Sequence, residues 1–341
     1  MKAQRVRRDY RLRLIAIDFI IVLSPGFERL FMKVVLFCGG FGMRLREYSE
    51  SVPKPMVPIG YRPILWHIMK YYAHFGHKDF ILCLGWKADV IKKYFLNYDE
   101  CVSNDFVLSG GGEVDLLASD THDWTITFVD TGTQANIGER LRAVRPYLDG
   151  EDTFLANYAD GLSDAPLPEL VDLHHQQDAV ATCLAIKPMQ SFHTIQCGGD
   201  ACVSSIESMT AGDSWINAGF FVLQHEIFDY LHEGEELVNE PFQRLIAARK
   251  LFAKRYEGFF GCMDTFKEKQ QLDDMYASGD APWEVWKRAD RGANPGNQVV
   301  PIDVESQLMT DVTGMSQEIR GSQVEESAEP NQAVVPAGDE S

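Results

Sequence analysis

The chain has 341 residues, of which 45% are hydrophobic and 11% aromatic. This composition is typical of a globular protein with one large α/β domain or two smaller domains. The formal net charge is −18 at pH 7. Because no basic stripe offsets it, this charge argues against a general nucleic-acid or membrane-surface binder. The seven cysteines show neither a CxxC pair nor metal-ligand spacing, so we expect reduced thiols in a cytoplasmic protein.

The two ends of the chain differ in character from its middle. Residues 1–31 combine several basic residues with a short apolar run that Asp18 interrupts, and this run is too short to span a bilayer. We expect an extension from an upstream start codon, disordered or loosely packed, with a weak membrane anchor as the alternative. Residues 288–341 are acidic and contain no aromatic residue, which predicts a disordered tail. The folded domain is therefore predicted over residues 32–287.

A phosphate-binding motif is predicted at the start of this domain. The apolar run 34–38 has the length and composition of a buried strand. It is followed by the glycine turn, residues 39–42 with the sequence GGFG, then by Arg44 and by Lys54 between two prolines. Glycines let the backbone approach an anion and direct N–H groups at it, and the two cations can neutralise phosphate. Together these features predict a triphosphate site.

Three other interpretations of the glycine turn compete with this one. A strand-to-helix turn that binds nothing explains the glycines alone. A dinucleotide fingerprint needs a third glycine where Leu45 stands, and a Walker-type loop needs a Gly-Lys-Ser/Thr sequence that this chain lacks here. The presence of Arg44 and Lys54 together favours the triphosphate site over a generic turn.

Helix-like and strand-like segments alternate after the motif. Helical spacing covers 64–72, 90–95 and 137–147, and strand patterns cover 80–85 and 124–132. This alternation predicts an α/β fold with a parallel sheet and right-handed crossovers. The polar, glycine-rich segment 106–120 is expected to be an exposed excursion.

Two acidic residues far apart in the sequence are candidate metal ligands. Asp160 follows an apolar strand pattern and precedes Gly161, at the carboxyl edge where parallel sheets place their ligands. Asp264 precedes a helical pattern. Carboxylate oxygens suit Mg²⁺, but an Asp-Gly turn also explains Asp160 and a helix N-cap also explains Asp264.

The segment 214–223, SWINAGFFVL, reads as a strand with unusual residues near its start. Its apolar end fits a plain core strand. A polar Asn217 and a glycine at position 219 suit the close approach of a ligand instead. Both interpretations stay open on the residues alone.

The motifs GGFGMRL (39–45) and PKPM (53–56) resemble the signature of the sugar-1-phosphate nucleotidyltransferases, in which GGxGxRL precedes a lysine between prolines. The run 53–76 looks most like the glucose-1-phosphate cytidylyltransferase branch, and the likeness extends from about Met32 to Trp286. It implies a Rossmann-like nucleotide-diphospho-sugar transferase fold, with a mixed, mostly parallel central sheet flanked by helices. It also implies transfer of a nucleotidyl group, from CTP in that branch, to glucose 1-phosphate, which yields pyrophosphate and CDP-glucose. No nucleic-acid or membrane partner is implied, and homo-oligomer formation is left open.

The resemblance also implies roles for individual residues. Arg44 and Lys54 would be catalytic, with Arg44 on the leaving phosphates and Lys54 on the α-phosphate. The nucleotide would be bound by Leu36, Phe37, Cys38, Gly39, Gly40, Gly42, Met43, Arg44, Lys54, Arg140 and Ala159. The sugar would be bound by Glu207, Asn217, Ala218 and Gly219, and Mg²⁺ by Asp160 and Asp264. Alanines 159 and 218 each stand where the family has a glycine.

One departure from the family pattern concerns the sugar phosphate. The family carries Glu-Lys before the sugar-binding strand, whereas this chain has Glu207-Ser208, and a neutral serine cannot neutralise phosphate. Lys187 is the candidate substitute, with a solvated surface lysine as the alternative. Ile137 stands where the family has a threonine near the nucleotide base. The identity of the base and the identity of the sugar therefore stay open. A non-catalytic, nucleotide-binding regulatory protein is the alternative function.

Overall fold

A seven-stranded sheet forms the centre of the computed structural model, which describes residues 31–40, 52–188, 193–199, 202–208 and 213–287. In spatial order its strands are β14 (Leu251–Tyr256), β10 (Ala181–Ile186), β13 (Ile216–Gln224), β8 (Thr153–Asn157), β1 (Val34–Phe37), β4 (Asp79–Leu84) and β7 (Thr125–Asp130). Neighbouring strands are parallel except where β13 pairs with β8 and with β10. The predicted mixed, mostly parallel sheet is therefore confirmed.

Helices and small ribbons surround the sheet in the described part of the chain. The helices are α1 (Ile64–His74), α2 (Ala88–Leu96), α3 (Ile137–Val144), α4 (Leu167–Gln176), α5 (Ile227–Tyr230), α6 (Glu240–Ala247) and α7 (Phe266–Ala277), with 3-10 turns at Lys54–Met56, Glu100–Val102 and Arg145–Tyr147. The ribbons pair β2 (Pro58–Ile59) with β3 (Arg62–Pro63), β5 (Phe106–Leu108) with β6 (Val114–Leu116), β9 (Gly161–Ser163) with β15 (Phe260–Cys262), and β11 (His193–Cys197) with β12 (Val203–Ser208). The excursion predicted over 106–120 corresponds to the ribbon β5–β6, whose first strand is exposed.

Side chains of the sheet alternate between two apolar cores, one on each face. In β1, Val34 and Leu36 belong to one core, and Val35 and Phe37 belong to the other. This alternation is expected of a strand that is buried on both faces. Helices α1 and α7 contribute to the first core, and α3, α5 and α6 contribute to the second. The sheet places β1 between β8 and β4, so the glycine turn begins at an interior position along one sheet edge.

The residues predicted to contact ligands share this edge. Strands β1, β8 and β10 run in the same direction, because β8 and β10 are both antiparallel to β13. Gly39 therefore follows β1 at the same edge where Asp160 follows β8, and β13 starts there with Ile216 and Asn217. Open α/β sheets bind their ligands at this carboxyl edge.

The predicted terminal segments and part of the phosphate motif lie outside the described residues. These are residues 1–30 and 288–341 and, within the motif, Gly42, Met43 and Arg44. The predicted domain boundaries at 32 and 287 and the roles of these three residues therefore stay predictions.

Candidate active site

Lys54, Asp160 and Asp264 converge on one point. The ammonium of Lys54 donates hydrogen bonds to Oδ2 of Asp160, at 2.6 Å, and to Oδ1 of Asp264. The ribbon β9–β15 brings the two acids together, because the N–H of Met263 donates to the carbonyl of Asp160 at 3.0 Å. Each acid stands at an end of this ribbon, and their carboxylates reach the same cation.

The position and the charge of Lys54 are both fixed by its surroundings. Pro53 and Pro55 flank it and are buried, and the lysine itself starts the 3-10 turn. Burial acts to lower the pKa of Lys54, but the charge of Asp160 and the hydrogen bonds to Asp160 and Asp264 raise it above the ordinary value. The side chain is therefore a permanent cation at neutral pH.

A cavity of about 260 Å³ opens beside these residues at the sheet edge. The described residues that line it are Phe37, Cys38, Gly39, Gly40, Lys54, Pro55, Ile137, Tyr158, Ala159 and Asp160. Most of them are residues to which the family resemblance gives a role. Pro55 and Tyr158 are additions, and their only sequence signal is that each neighbours a motif residue.

Arg140 packs against Gly39 and is not among the described residues that line the cavity. Its side chain is 1% exposed, and Nη1 donates to the carbonyl of Leu84 at 3.2 Å and to Oγ1 of Thr131 at 2.7 Å. A Cβ atom at Gly39 would lie 2.0 Å from Nη1. A side chain at position 39 would therefore displace this guanidinium from its hydrogen bonds, whereas the nucleotide-binding role of Arg140 stays a prediction.

Ala159 adopts a backbone conformation that favours glycine. Its φ of 60° is in the left-handed region, where a non-glycine residue costs roughly 1–2 kcal/mol. The N–H of Ala159 donates to Oδ1 of Asn157 at 2.8 Å, and the residue is fully buried. This conformation gives a physical reason for the glycine that the resembling family has at this position.

Tyr158 connects the cavity to β13. Its hydroxyl is 3.4 Å from the donor Nδ2 of Asn217, and its backbone N–H donates to the carbonyl of Gly219 at 3.1 Å. Gly219 has a φ of 76°, and a Cβ atom there would lie 2.5 Å from the ring of Tyr158. Asn217 and Gly219 therefore adjoin the cavity wall, whereas Ala218 is buried in the core on the opposite face.

Three other predicted residues are not among the described residues that line the cavity. Leu36 is buried inside β1, and Glu207 is exposed on β12, in a ribbon separate from the central sheet. Lys187 follows β10, and its Nζ is 4.4 Å from the centre of the Trp215 ring. The sequence roles of these three residues stay predictions.

Asp264 is not the N-cap of the helix that follows it. That position belongs to Thr265, whose Oγ1 accepts a hydrogen bond from the N–H of Glu268 at 3.2 Å, and Glu268 completes a capping box. The carboxylate of Asp264 contacts Lys54 instead. The N-cap interpretation of Asp264 is therefore wrong.

Asp160, Asp264 and Cys262 form a group that fits a divalent metal. One ligand atom from each residue lies within 4.8 Å of the others. Carboxylate oxygens suit hard cations, and the ammonium of Lys54 shows that a cation is accommodated between the two acids. Burial and the charge of Asp160 raise the pKa of the Cys262 thiol, a residue for which the sequence gives no signal.

Comparison with known proteins identifies the family of this chain. The family model described as "Nucleotidyl transferase" matches residues 33–260. A probable glucose-1-phosphate cytidylyltransferase of Bacillus subtilis (strain 168) is 38% identical over 258 residues, which cover 75% of this chain and 100% of the relative. The glucose-1-phosphate cytidylyltransferase of Salmonella typhi is 37% identical over 260 residues, with the same coverage. The chain belongs to the nucleotidyltransferase family. Within this family it is similar to the glucose-1-phosphate cytidylyltransferases, so the resemblance read from the motifs is confirmed.

Solved structures share the fold at lower sequence identity. UDP-glucose pyrophosphorylase complexed with UDP-glucose has a TM-score of 0.55 and 14% identity, over 73% of this chain and 100% of that chain. HddC from Yersinia pseudotuberculosis has a TM-score of 0.51 and 19% identity, over 72% of this chain and 99% of that chain. Among the described helices, none has both the length and the apolar character needed to cross a membrane.

Proposed function

We propose that the protein transfers a cytidylyl group from CTP to glucose 1-phosphate, with release of pyrophosphate and formation of CDP-glucose. The observation that carries this proposal is the convergence of Lys54, Asp160 and Asp264 beside a cavity that the Gly39-Gly40 backbone lines. The similarity to glucose-1-phosphate cytidylyltransferases, over their full length, supports the choice of base and sugar. A cytoplasmic location is part of the proposal, and the absence of disulfides among the described cysteines supports it.

The proposed chemistry needs no nucleophile from the protein. An oxygen of the sugar phosphate attacks the α-phosphorus of the nucleotide, and the bond between the α- and β-phosphates breaks as pyrophosphate leaves. A phosphate monoester is already an adequate nucleophile. Catalysis then consists mainly of alignment and of neutralising charge on the phosphate oxygens.

The residues around the cavity supply these two contributions. We assign Lys54 to the charge that develops on the α-phosphate, because it is a fixed cation on the cavity wall. The backbone of Gly39 and Gly40 would receive the phosphates closely, since neither residue has a side chain. Arg44 would bind the leaving β- and γ-phosphates, as the family resemblance implies.

Asp160 and Asp264 would hold the divalent ion, for which we propose Mg²⁺. The hard oxygens of two carboxylates, together with substrate phosphates, are its usual ligands. When bound, the ion supplies neutralisation of phosphate charge. The acids themselves are oriented by Lys54 and by the ribbon β9–β15, so they keep their places before any substrate enters.

The sugar would lie toward β13. Asn217 and Gly219 adjoin Tyr158 on the cavity wall, and an amide and a hydroxyl there offer hydrogen bonds to sugar hydroxyls. Glu207 is assigned to the sugar as the family resemblance implies. The oligomeric state is left open by this proposal.

A panel of substrates tests the proposed function. The full chain is incubated with Mg²⁺, glucose 1-phosphate and CTP, UTP, dTTP or ATP, and the pyrophosphate released is measured. We expect the fastest release with CTP, and slower release when galactose 1-phosphate or mannose 1-phosphate replaces glucose 1-phosphate. Faster release of pyrophosphate with another pair of substrates would contradict the proposed base or the proposed sugar. Release with no pairing would favour a nucleotide-binding regulatory protein, for which the serine at position 208 is the motivation.

A further inference from the structure

Cys262 stands beside the two acids of the candidate metal site, yet the proposed reaction gives it no role. Its Sγ and one oxygen each of Asp160 and Asp264 all lie within 4.8 Å of one another. The residue is half-buried and pairs with Gly161 across the ribbon β9–β15. The backbone pairing therefore holds the thiol next to both carboxylates.

We infer that Cys262 makes this centre a mixed sulfur and oxygen site, which binds thiophilic divalent ions such as Cd²⁺, Zn²⁺ and Co²⁺ through a third ligand that Mg²⁺ does not use. Thiolate sulfur is a soft ligand that these ions accept, whereas Mg²⁺ takes oxygen ligands. The inference rests on the proposed function in one respect, which is that Asp160 and Asp264 are the metal ligands.

The spacing of the three ligand atoms suits a single ion. Zinc lies about 2.3 Å from thiolate sulfur and about 2.0–2.2 Å from carboxylate oxygen, so two ligand atoms at a tetrahedral angle are roughly 3.5 Å apart. Because the present atoms all lie within 4.8 Å, small side-chain rotations would bring them to that spacing. Three protein ligands would leave a fourth position for water or a substrate oxygen.

The charges of the site also favour a divalent cation. The two carboxylates carry two negative charges, which a divalent ion would neutralise in place of the ammonium of Lys54. Binding would release the thiol proton to solvent. The ammonium of Lys54, which contacts both carboxylates, would have to give up its position between them.

Competition with the reaction's own metal follows from this arrangement. A thiophilic ion would use the same two carboxylates as Mg²⁺ and one additional ligand. It would therefore bind more tightly, and low concentrations of Zn²⁺ or Cd²⁺ would displace Mg²⁺ from the centre.

Titration of the full chain with Cd²⁺ alone, followed by the ultraviolet charge-transfer absorption from sulfur to cadmium, tests the inference. Cys262→Ser should lose the part of this absorption that saturates first, and should bind Cd²⁺ at least about tenfold more weakly, or about 1.4 kcal/mol. The affinity for Mn²⁺, which prefers oxygen ligands, should change much less; it is measured from the paramagnetic resonance of the free ion. Cys101→Ser is the matched control, because Cys101 is also a half-buried cysteine, and it should leave the absorption unchanged.

Two results would overturn the inference. One is an unchanged charge-transfer absorption in Cys262→Ser, and the other is an equal loss of Cd²⁺ and Mn²⁺ affinity, which would assign Cys262 a purely structural role. If Cys262→Ser fails to fold, protection of the wild-type thiol gives the answer: saturating Cd²⁺ should block iodoacetamide labelling of Cys262, and undiminished labelling would contradict the inference. Because the metal is the only ligand added, failure of nucleotidyl transfer would not affect either measurement.

Discussion

The ammonium of Lys54 lies 2.6 Å from Oδ2 of Asp160, although the two residues are 106 positions apart in the chain. The same ammonium contacts Asp264. Three segments that are remote in sequence therefore bring one cation and two anions together beside the cavity, which Lys54 and Asp160 line. Because the group is partly buried, removal of the cation would leave two carboxylates facing each other without neutralisation.

Replacing the cation by an apolar side chain of similar length tests this arrangement. Lys54→Met should reduce the rate of pyrophosphate release at least about 10²-fold, as is typical when a charged donor to the reacting phosphate is lost. Lys78→Met is the control, because Lys78 forms an exposed ion pair with Asp123, and it should keep a rate near that of the wild type. Near-normal turnover by Lys54→Met, with the fold checked by circular dichroism, would rule out the assigned role.

The convergence of these residues was predictable from the sequence in part. The strand pattern before Asp160 and the alternation of helices and strands place that acid at the carboxyl edge of a parallel sheet. The glycine turn follows β1 at the same edge. Nothing in local spacing brings Asp264 there, because its position depends on the pairing of β9 with β15. The family resemblance alone supplied that acid.

Other features of the site depend on packing that the sequence does not encode locally. Arg140 carries the expected cation, but its guanidinium donates hydrogen bonds to Leu84 and Thr131 next to Gly39. Neither Tyr158 nor Cys262 belongs to a sequence motif. Each lies at the site because it is two positions before a predicted metal ligand, Asp160 or Asp264. Hydrophobic periodicity identifies strands and helices, but it does not identify which neighbour of a motif residue faces a ligand.

Gly39 and Gly40, the two glycines of the turn that the structure describes, should have different roles. A Cβ atom at Gly39 would meet the buried guanidinium of Arg140, whereas one at Gly40 would meet no atom of the described residues within 4 Å. Gly39→Ala should therefore destabilise the fold by about 1–3 kcal/mol through overpacking. Gly40→Ala should keep the melting temperature and raise the KM for the nucleotide, because it adds a methyl group to the cavity wall. Equal melting temperatures for the two variants would contradict this assignment.

The contact between Gly219 and Tyr158 can be isolated by comparison with a second glycine. Gly219 and Gly234 have φ values of 76° and 79°, so alanine at either position pays a similar backbone strain of about 1–2 kcal/mol. Among the described residues, Gly234 has no neighbour within 4 Å of a new Cβ atom, whereas Gly219 has the Tyr158 ring at 2.5 Å. Urea unfolding should show a larger stability loss for Gly219→Ala than for Gly234→Ala. Similar losses would mean that the ring of Tyr158 moves freely.

Lys187 is the candidate replacement for the family lysine that is absent at Ser208. Its Nζ lies 3.8 Å from Oδ1 of Asp213. If Lys187 reaches the sugar phosphate, Lys187→Ala should raise the KM for glucose 1-phosphate about tenfold or more and leave the KM for CTP unchanged, since a hydrogen bond to a charged group contributes about 1.5–3 kcal/mol. Lys250→Ala is the control, because Lys250 is paired with Asp178 at the surface, at 2.7 Å. An unchanged KM for the sugar phosphate would show that Lys187 is a surface lysine that does not bind this substrate.

We expect His67 to make the free energy of unfolding depend on pH. The ring is buried, with Nε2 at 3.0 Å from the carbonyl oxygen of Ile59 and Nδ1 at 3.3 Å from the donor Nε1 of Trp283. A neutral ring satisfies both contacts, by donating from Nε2 and accepting at Nδ1. Burial lowers the pKa of His67 from 6.5 to about 4. Between these two values the unfolded chain binds more protons than the folded chain, so the stability that the neutral ring contributes is lost as the pH falls.

Urea unfolding measured at about pH 7.5 and at about pH 5.5 tests this dependence. Over that interval His67 alone should account for a loss of about 1 kcal/mol, because the unfolded residue becomes protonated while the folded one stays neutral. His67→Gln should be less stable than the wild type at the higher pH and should lose less stability on acidification. His174, whose pKa burial also lowers to about 4, contributes equally in both chains and cancels from the comparison. His122→Gln, at an exposed position, should follow the wild-type dependence. Parallel curves for His67→Gln and the wild type would show that His67 is protonated equally in the folded and unfolded chains.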